Sequence, residues 1–241
     1  MSTRMSQASR ADELVKISRA TAKRAEAIKY GLPASMIYNP VKYAAKPHEM
    51  YLRKYGGRPK RVVMVGMNPG PWGMAQTGVP FGDVVMVRDW MKISADVSRP
   101  KREHPRVPVK GFDSTRREGS GKRLWGWAEE RGTAKDFFKE FFVWNYAPLC
   151  FLSETGTNLI PEKLPKENRK ELYEVCNYGL ASAIELLKPR AVVAVGNFAK
   201  KRIDEIADGS YPVVKLLHPS PANPRANAGW KDEADTVLGA L

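Results

Sequence analysis

Cysteine is scarce in this chain, and the two cysteines present do not form a metal-binding or redox motif. Cys150 and Cys176 stand neither in a C-x-x-C pair nor beside a histidine at ligand spacing. A structural zinc or an iron–sulfur centre is therefore not expected, and the sequence calls for no metal. Both residues lie in apolar segments, where we expect reduced core side chains of an intracellular protein rather than a disulfide.

Long apolar runs are also missing. No stretch is long enough to predict a membrane span, and the polar N-terminus lacks the apolar core of a signal peptide. Residues 1–10 are expected to be flexible, and residues 11–241 are expected to form the folded domain. The predicted location is intracellular: the cytoplasm or nucleoid if the source is bacterial, the nucleus if it is eukaryotic.

Acidic residues are outnumbered by basic ones. The chain has 40 Lys and Arg against 26 Asp and Glu, which gives a net charge of +14. Such an excess favours a polyanionic partner such as nucleic acid over a charge that serves solubility alone. With 241 residues, of which 43% are hydrophobic, a single α/β domain is the default, although two small domains also fit this length.

The most informative stretch is VVMVGMNPGPWGMAQTGVPFG at residues 62–82. Its β-branched start predicts a strand buried on both faces, and the glycines and prolines that follow predict a shaped loop. Loops at the carboxyl ends of parallel strands hold the ligands of open α/β sheets. Asn68, Gln76 and Phe81 are therefore candidates for ligand contact; alternatively, Asn68 only caps a turn.

Three further apolar runs predict strands, at residues 141–149, 191–196 and 213–217. A long amphipathic helix is predicted over residues 166–188, between the second strand and the third. The order of strands and helices predicts an α/β fold, a single domain with a central, mainly parallel four-stranded sheet flanked by helices.

Polar side chains follow three of these four strands. Asn145 and His218 stand at strand ends in the same way as Asn68. Taken singly, an asparagine there can begin a turn and a histidine can be structural, but three together indicate a ligand site. The other two histidines carry no such signal: His48 is expected at a helix start, as a cap or surface residue, and His104 in solvent.

Two motifs carry a family resemblance. GMNPGPWGMAQTGVPFG at residues 66–82 and HPSPANPRANAGW at residues 218–230 resemble the signature motifs of the single-strand-selective monofunctional uracil-DNA glycosylases. The similarity covers about residues 37–230. It implies a three-layer α/β enzyme that flips uracil out of single- or double-stranded DNA and hydrolyses the N-glycosidic bond. It also implies no cofactor and no strand cleavage, and we expect a monomer.

The resemblance implies a role for each pocket residue. Asn68 would position the attacking water, and His218 would donate a hydrogen bond to the uracil carbonyl as charge develops there. Asn145 would read the uracil edge, which is reversed in cytosine. Phe81 would stack on the base, and the backbone N–H of Met67 would reach it.

Two further features concern selectivity and DNA contact. Gly70 stands where classical uracil-DNA glycosylases carry a tyrosine that blocks C5 substituents, so 5-hydroxymethyluracil is an expected substrate. Typical family members carry an arginine wedge directly after HPSP, but this chain has Ala222 there, and arginine appears only at Arg225. The predicted DNA-binding loop comprises Pro219, Ser220, Pro221, Ala222, Asn223 and Arg225.

Two other functional classes each explain one feature of the sequence. A nucleotide-binding α/β enzyme would explain the glycine-rich loop, but GMNPGPWG contains neither a GxGxxG run nor a Walker lysine–serine pair. A non-catalytic basic DNA-binding protein would explain the charge of +14 but not three polar residues at strand ends.

Overall fold

The computed structural model of the protein describes residues 6–241. The predicted flexible segment at residues 1–10 lies partly outside this range. In the described part, the first helix begins at Gln7, within the segment that was predicted to be flexible. Ser6 explains this start, because its hydroxyl accepts a hydrogen bond from the Ser9 N–H at 3.0 Å and caps the helix.

Seven strands form two sheets within the described residues. In chain order they are β1 (Met36–Tyr38), β2 (Val62–Gly66), β3 (Phe141–Asn145), β4 (Cys150–Leu152), β5 (Asn158–Leu159), β6 (Ala191–Val195) and β7 (Val213–Leu216). The larger sheet has the order β3-β2-β6-β7, and all of its pairings are parallel. The predicted four-stranded parallel sheet is thus confirmed.

The described part of the chain contains nine α-helices. They are α1 (Gln7–Glu26), α2 (Pro40–Tyr43), α3 (Ala45–Tyr55), α4 (Met74–Thr77), α5 (Gly119–Glu129), α6 (Ala134–Glu140), α7 (Lys166–Leu187), α8 (Asn197–Asp204) and α9 (Pro224–Gly239). The chain crosses the sheet in one direction from β2 to β3, and in the opposite direction from β3 to β6 and on to β7. Since such crossovers are right-handed, α5 and α6 cover one face, and α7 and α8 the other.

The core follows from this layering. Every residue of β2, β3 and β6 is buried, as the β-branched and aromatic composition of these strands requires when helices cover both faces. Aromatic rings fill the space between the sheet and α5 and α6: the Phe137 and Phe141 rings stack at 4.7 Å, and Trp127 meets Phe137 edge-on at 5.9 Å. Cys150 and Cys176 are free and buried, as predicted.

The second sheet was not predicted. Strands β1, β4 and β5 pair antiparallel in the order β1-β4-β5. The segment at residues 159–164 begins in β5 and continues into a 3₁₀ turn at Pro161–Lys163. Residues 84–90 are helical and end in a π-helical turn at Met86–Trp90.

Two histidine predictions are wrong. His48 is buried within α3, and its ring nitrogens lie 2.7 Å from the Gly78 carbonyl and 2.7 Å from the Ser18 hydroxyl. His104 is also buried; its ring pairs with the Glu154 carbonyl at 2.9 Å. Both rings join segments far apart in the chain, and these contacts replace water.

No helix within residues 6–241 is both long enough and apolar enough to cross a membrane.

Candidate active site

The predicted site residues converge at the carboxyl edge of the parallel sheet. Gly66, the last residue of β2, pairs in register with Asn145, the last residue of β3, and His218 follows the end of β7 by two residues. A pocket of about 320 Å³ opens at this edge. Its walls are formed by Met67, Asn68, Gly70, Gly73, Met74, Phe81, Glu118, Ser120, Asn145, Asn158, His218 and Ser220.

A larger pocket, of about 590 Å³, lies at the opposite edge of the sheet. Its lining includes Arg58, which precedes β2, and Lys139, which precedes β3. None of the polar side chains that follow the strands reaches it. We therefore assign the site to the smaller pocket, where the strand ends meet.

Gly66 lets the pocket walls approach one another. A Cβ atom at this position would lie 2.5 Å from the Asn145 Oδ1 atom and 2.6 Å from the Phe81 Cε2 atom. Real Cβ atoms do not come this close to other heavy atoms, so any side chain at Gly66 would displace the amide, the ring or both. The glycine that ends β2 thus brings the Asn145 amide and the Phe81 ring close together.

Asn68 carries an unsatisfied hydrogen-bond acceptor. Its Nδ2 atom makes two long contacts, each of 3.4 Å, to the carbonyls of Pro69 and Leu149. Its Oδ1 atom is buried and has no hydrogen-bond partner among residues 6–241. A buried acceptor without a partner is unfavourable in itself. A water or substrate group that donates a hydrogen bond to it would therefore bind with a larger favourable free energy than one that donates to an acceptor already paired.

Phe81 is held in a rare backbone conformation. Its φ of +52° lies in the left-handed region, which a residue with a bulky side chain avoids. Its carbonyl accepts hydrogen bonds from the Trp125 indole N–H at 2.9 Å and from the Asp83 N–H at 2.8 Å. The ring meets the His218 ring at 5.8 Å with an angle of 41° between their planes. These two donors therefore hold one aromatic wall of the pocket in place.

The His218 ring is neutral at physiological pH. Loss of hydration lowers the pKa of His218 to about 4, because the charged imidazolium is disfavoured in this partly buried position. Its backbone carbonyl accepts from the Asn223 amide at 3.5 Å, whereas its ring lies beside Phe81 in the pocket wall. The imidazole N–H is thus free to donate to a ligand in the pocket.

Asn145 is nearly buried, and its amide is held from one side. Its Nδ2 atom donates to the Met74 Sδ atom at 3.3 Å. Met67 lines the same wall, and its carbonyl accepts from the Ala147 N–H at 2.8 Å. Gly70 lines the pocket where a Cβ would meet nothing within 4 Å, so there is open space beside it.

The predicted DNA-binding loop lies at the rim of the pocket. Only Ser220 of this loop lines the pocket itself. Pro221 packs on α5. Its Cγ atom lies so near Gly119, the first residue of α5, that a Cβ built there would be only 2.5 Å away. The Pro219 carbonyl accepts from Arg123 at 3.2 Å. These contacts fix the first half of the loop on α5.

The second half of the loop departs from the prediction. Arg225 is not in a loop: it stands in the first turn of α9, which Asn223 caps by accepting from the Arg225 N–H at 3.2 Å. The side chains of Ala222 and Arg225 are both exposed, so either is accessible to DNA. Gln76, another sequence candidate, is fully buried and bonds Pro108 and Lys110 instead.

Several pocket residues were not singled out from the sequence. Among them, Glu118 is the most notable, because its buried carboxylate accepts hydrogen bonds from the N–H groups of Ser120, at 3.1 Å, and Gly121. Desolvation raises its pKa above the usual carboxyl range. Glu118 thus caps α5, and the only signal in the sequence was an acidic residue before a helix start. The described residues contain no group of three or more His, Cys, Asp or Glu placed to hold a metal.

Comparisons with known proteins show the family of the chain. The profile of the uracil DNA glycosylase superfamily matches residues 53–237. The single-strand selective monofunctional uracil-DNA glycosylase of Rattus norvegicus is 46% identical over 213 residues, which are 87% of this chain and 77% of that protein. The Mus musculus protein of the same name is 45% identical over 87% of this chain and 76% of its own length.

A solved structure shows the same fold. SMUG2 of Pedobacter heparinus matches with a TM-score of 0.64 over 93% of this chain and 96% of its own, at 19% identity. Sequence identity this low supports the fold alone, whereas the mammalian relatives and the superfamily profile define the family. The chain belongs to the uracil-DNA glycosylase superfamily and, within it, to the single-strand-selective monofunctional family.

Proposed function

We propose that this protein removes uracil from DNA by hydrolysing the N-glycosidic bond, and that the pocket at the carboxyl edge of the sheet is its active site. The observation that carries the proposal is the convergence of Asn68, Asn145 and His218 around one pocket whose walls also include Phe81. Amides that read a base edge, a neutral donor and an aromatic face are what a flipped base requires.

The chemistry requires charge stabilisation more than a strong base. Bond cleavage leaves an oxocarbenium-like sugar and a departing uracil anion. The His218 N–H, free and neutral, is placed to donate to a uracil carbonyl as negative charge grows there. A neutral donor avoids the cost of burying a charged ring before the substrate arrives.

Asn68 orients the water. An amide is too weak a base to take a proton from water before bond cleavage, so its role is to hold the nucleophile for an already cationic sugar. The unpartnered Oδ1 atom supplies the acceptor that this water needs. Asn145 accepts from uracil N3–H and donates to O4, and cytosine presents the opposite pattern on this edge.

Substrate range follows from Gly70. The open space beside this residue accommodates a substituent at C5, so uracils modified there, such as 5-hydroxymethyluracil, are proposed substrates. Met67 completes the wall against the base through its backbone N–H. Phe81 stacks on the base face.

The partner is DNA that contains uracil, single- or double-stranded. The charge of +14 favours binding to the phosphate backbone, and the rim residues Ala222 and Arg225 stand where the strand would pass. Flipping costs less from a single strand than from a paired stack, so a chain with Ala222 at the wedge position should favour unpaired uracil. We propose that it acts as a monomer, inside the cell, without a cofactor.

The test is release of the base. A labelled single-stranded oligonucleotide with one uracil is incubated with the protein. The reaction is then divided into two portions, one of which is treated with hot alkali, and an oligonucleotide with thymine in place of uracil is the matched control. We expect cleavage at the uracil position only after alkali, since the protein should leave an abasic site. Salt-sensitive binding without any abasic site would instead identify a non-catalytic DNA-binding protein.

A further inference from the structure

The two ends of the Asn145 amide are nearly equal in shape, yet only one orientation reads uracil. With Oδ1 facing N3–H and Nδ2 facing O4 the amide pairs with uracil, whereas the flipped amide would pair with cytosine. Rotation of the terminal torsion costs little unless neighbouring atoms distinguish oxygen from nitrogen. A glycosylase that must spare cytosine therefore needs a contact that fixes this orientation.

Met74 supplies such a contact. Its Sδ atom lies 3.3 Å from the Asn145 Nδ2 atom. A thioether sulfur accepts hydrogen bonds weakly and cannot donate them, so it pairs with the NH₂ end of the amide and not with the oxygen. The flipped amide would place two acceptors, Oδ1 and Sδ, against each other.

A bond from the Asn145 amide nitrogen to Met74 is compatible with base reading. An amide nitrogen carries two hydrogens: one lies beside Oδ1 and forms the edge that pairs with a base, and the other points away from that edge. The hydrogen that points away is the one free to bond a third group, so one nitrogen can serve Met74 and uracil together. On the oxygen side, Gly66 leaves room for Oδ1, since a Cβ there would lie 2.5 Å from it.

Met74 is itself held firmly. It is the first residue of α4 and is 3% exposed, and it packs with Ala22 and Val41 in a small apolar cluster. The Gly78 N–H donates to the Met74 carbonyl at 2.8 Å and closes the short helix. The sulfur is thus a fixed reference point rather than a mobile chain end.

We infer that Met74 is a positioning residue for base discrimination: through its sulfur it sets the orientation of the Asn145 amide and thereby selects uracil over cytosine. The inference rests on the proposed function, in which Asn145 reads the base. Met74 acts on the base through Asn145.

The test is a double-mutant cycle on single-turnover release of uracil from a single-stranded oligonucleotide. Met74→Leu keeps the size and apolar character of the side chain but removes the acceptor. We expect it to slow release by about 3- to 10-fold in the wild-type background, the size of one neutral hydrogen bond, and to have no further effect in the Asn145→Ala background. Thermal unfolding of all four proteins accompanies the rates.

A second measurement separates orientation from packing. Free uracil and free cytosine are tested as inhibitors of the wild type and of Met74→Leu. Loss of orientation weakens inhibition by uracil by a similar factor and does not weaken inhibition by cytosine. A packing defect would weaken both equally or change melting without changing selectivity.

The possible outcomes distinguish failure of the Met74 role from failure of the proposed function. Equal effects of Met74→Leu in both backgrounds, or a wild-type rate in the single variant, would overturn the role of the sulfur while uracil release by the wild type continued. A wild-type protein that released no uracil at all would instead refute the proposed function. The two failures are therefore distinguished by the wild-type reaction alone.

Discussion

Replacing Asn68 with alanine should separate activity from stability. The amide contributes little to the fold: its two hydrogen bonds, each of 3.4 Å, are longer than the usual 2.9–3.0 Å. Its buried Oδ1 atom has no partner within residues 6–241, which costs about 1–3 kcal/mol in a typical case. Truncation removes the two weak bonds and the unpaired acceptor together, so the free energy of unfolding should not fall by more than about 1 kcal/mol.

The rate of uracil release, in contrast to the stability, should change greatly in Asn68→Ala. If Oδ1 holds the attacking water, the rate of uracil release should fall on the order of 10²-fold or more in Asn68→Ala, as for loss of one preorganised group. The assay is single-turnover release from a single-stranded oligonucleotide, alongside urea unfolding of the same preparation. DNA binding, measured by fluorescence anisotropy, should remain close to that of the wild type.

Asn168 offers a matched control. It is also a buried asparagine, but its Oδ1 atom accepts from the Gly31 N–H at 2.9 Å and its Nδ2 atom donates to the Lys29 carbonyl at 3.1 Å. Asn168→Ala should therefore cost about 1–3 kcal/mol of stability and leave the rate at a temperature below melting nearly unchanged. A near-wild-type rate in Asn68→Ala, or a stability loss as large as that of Asn168→Ala, would refute the reasoning about Asn68.

Three further predictions follow from the pocket and its rim. His218→Ala should slow uracil release on the order of 10²-fold or more. Because the pKa of His218 is lowered to about 4, the rate of the wild-type protein should stay constant as pH falls from 8 to about 5 and decline only below that. Gly70→Tyr should suppress release of 5-hydroxymethyluracil more than release of uracil, because the ring would fill the open space beside Gly70. Ala222→Arg should narrow the difference between single-stranded and A-paired uracil, whereas Arg225→Ala should widen it if Arg225 is the wedge.

Each of these has a result that would contradict it. For His218, the contrary result is a variant impaired only in DNA binding, or a wild-type rate that halves near pH 6.5. For Gly70, it is an equal loss on both substrates. For the rim, a change in duplex activity in Arg225→Ala with none in Ala222→Arg would assign the wedge to Arg225 and make Ala222 a neutral replacement.

The sheet and the site position were predictable because both depend on local patterns. The β-branched runs before Asn68 and His218 specify strands, of which β2 is fully buried and the edge strand β7 only partly, and parallel strands bring their carboxyl ends to one edge. The family expectation, drawn from the two motifs, is confirmed by the match over residues 53–237 and by the relatives. The roles of the individual residues remain predictions.

What the sequence did not predict depends on partners distant in the chain. His48 is buried because Ser18 and Gly78, each 30 residues away, meet its two nitrogens. His104 is buried because the Glu154 carbonyl and the Tyr38 hydroxyl come from other segments. Nothing near either histidine in sequence indicates these contacts.

The missed elements have different causes. Strands β1, β4 and β5 have two or three residues each, too few for a periodic pattern to appear. The start of α9 did leave a signal, an asparagine cap followed by Pro224 at the first helical position, but the motif HPSPANPR reads first as a proline-rich loop. Met74 looks like an ordinary core residue until its sulfur is seen beside the Asn145 amide.

The most direct test of the account is detection of the free base. Wild-type protein and the Asn68→Ala and His218→Ala variants are incubated in single turnover with matched oligonucleotides that contain one uracil, one cytosine or one thymine, and the released base is quantified by mass spectrometry. The account predicts free uracil from the wild type alone at early times, neither cytosine nor thymine, and an unbroken strand. Equal uracil release by the wild type and both variants would contradict the assignment of the site, and no release by any of them would contradict the proposed function.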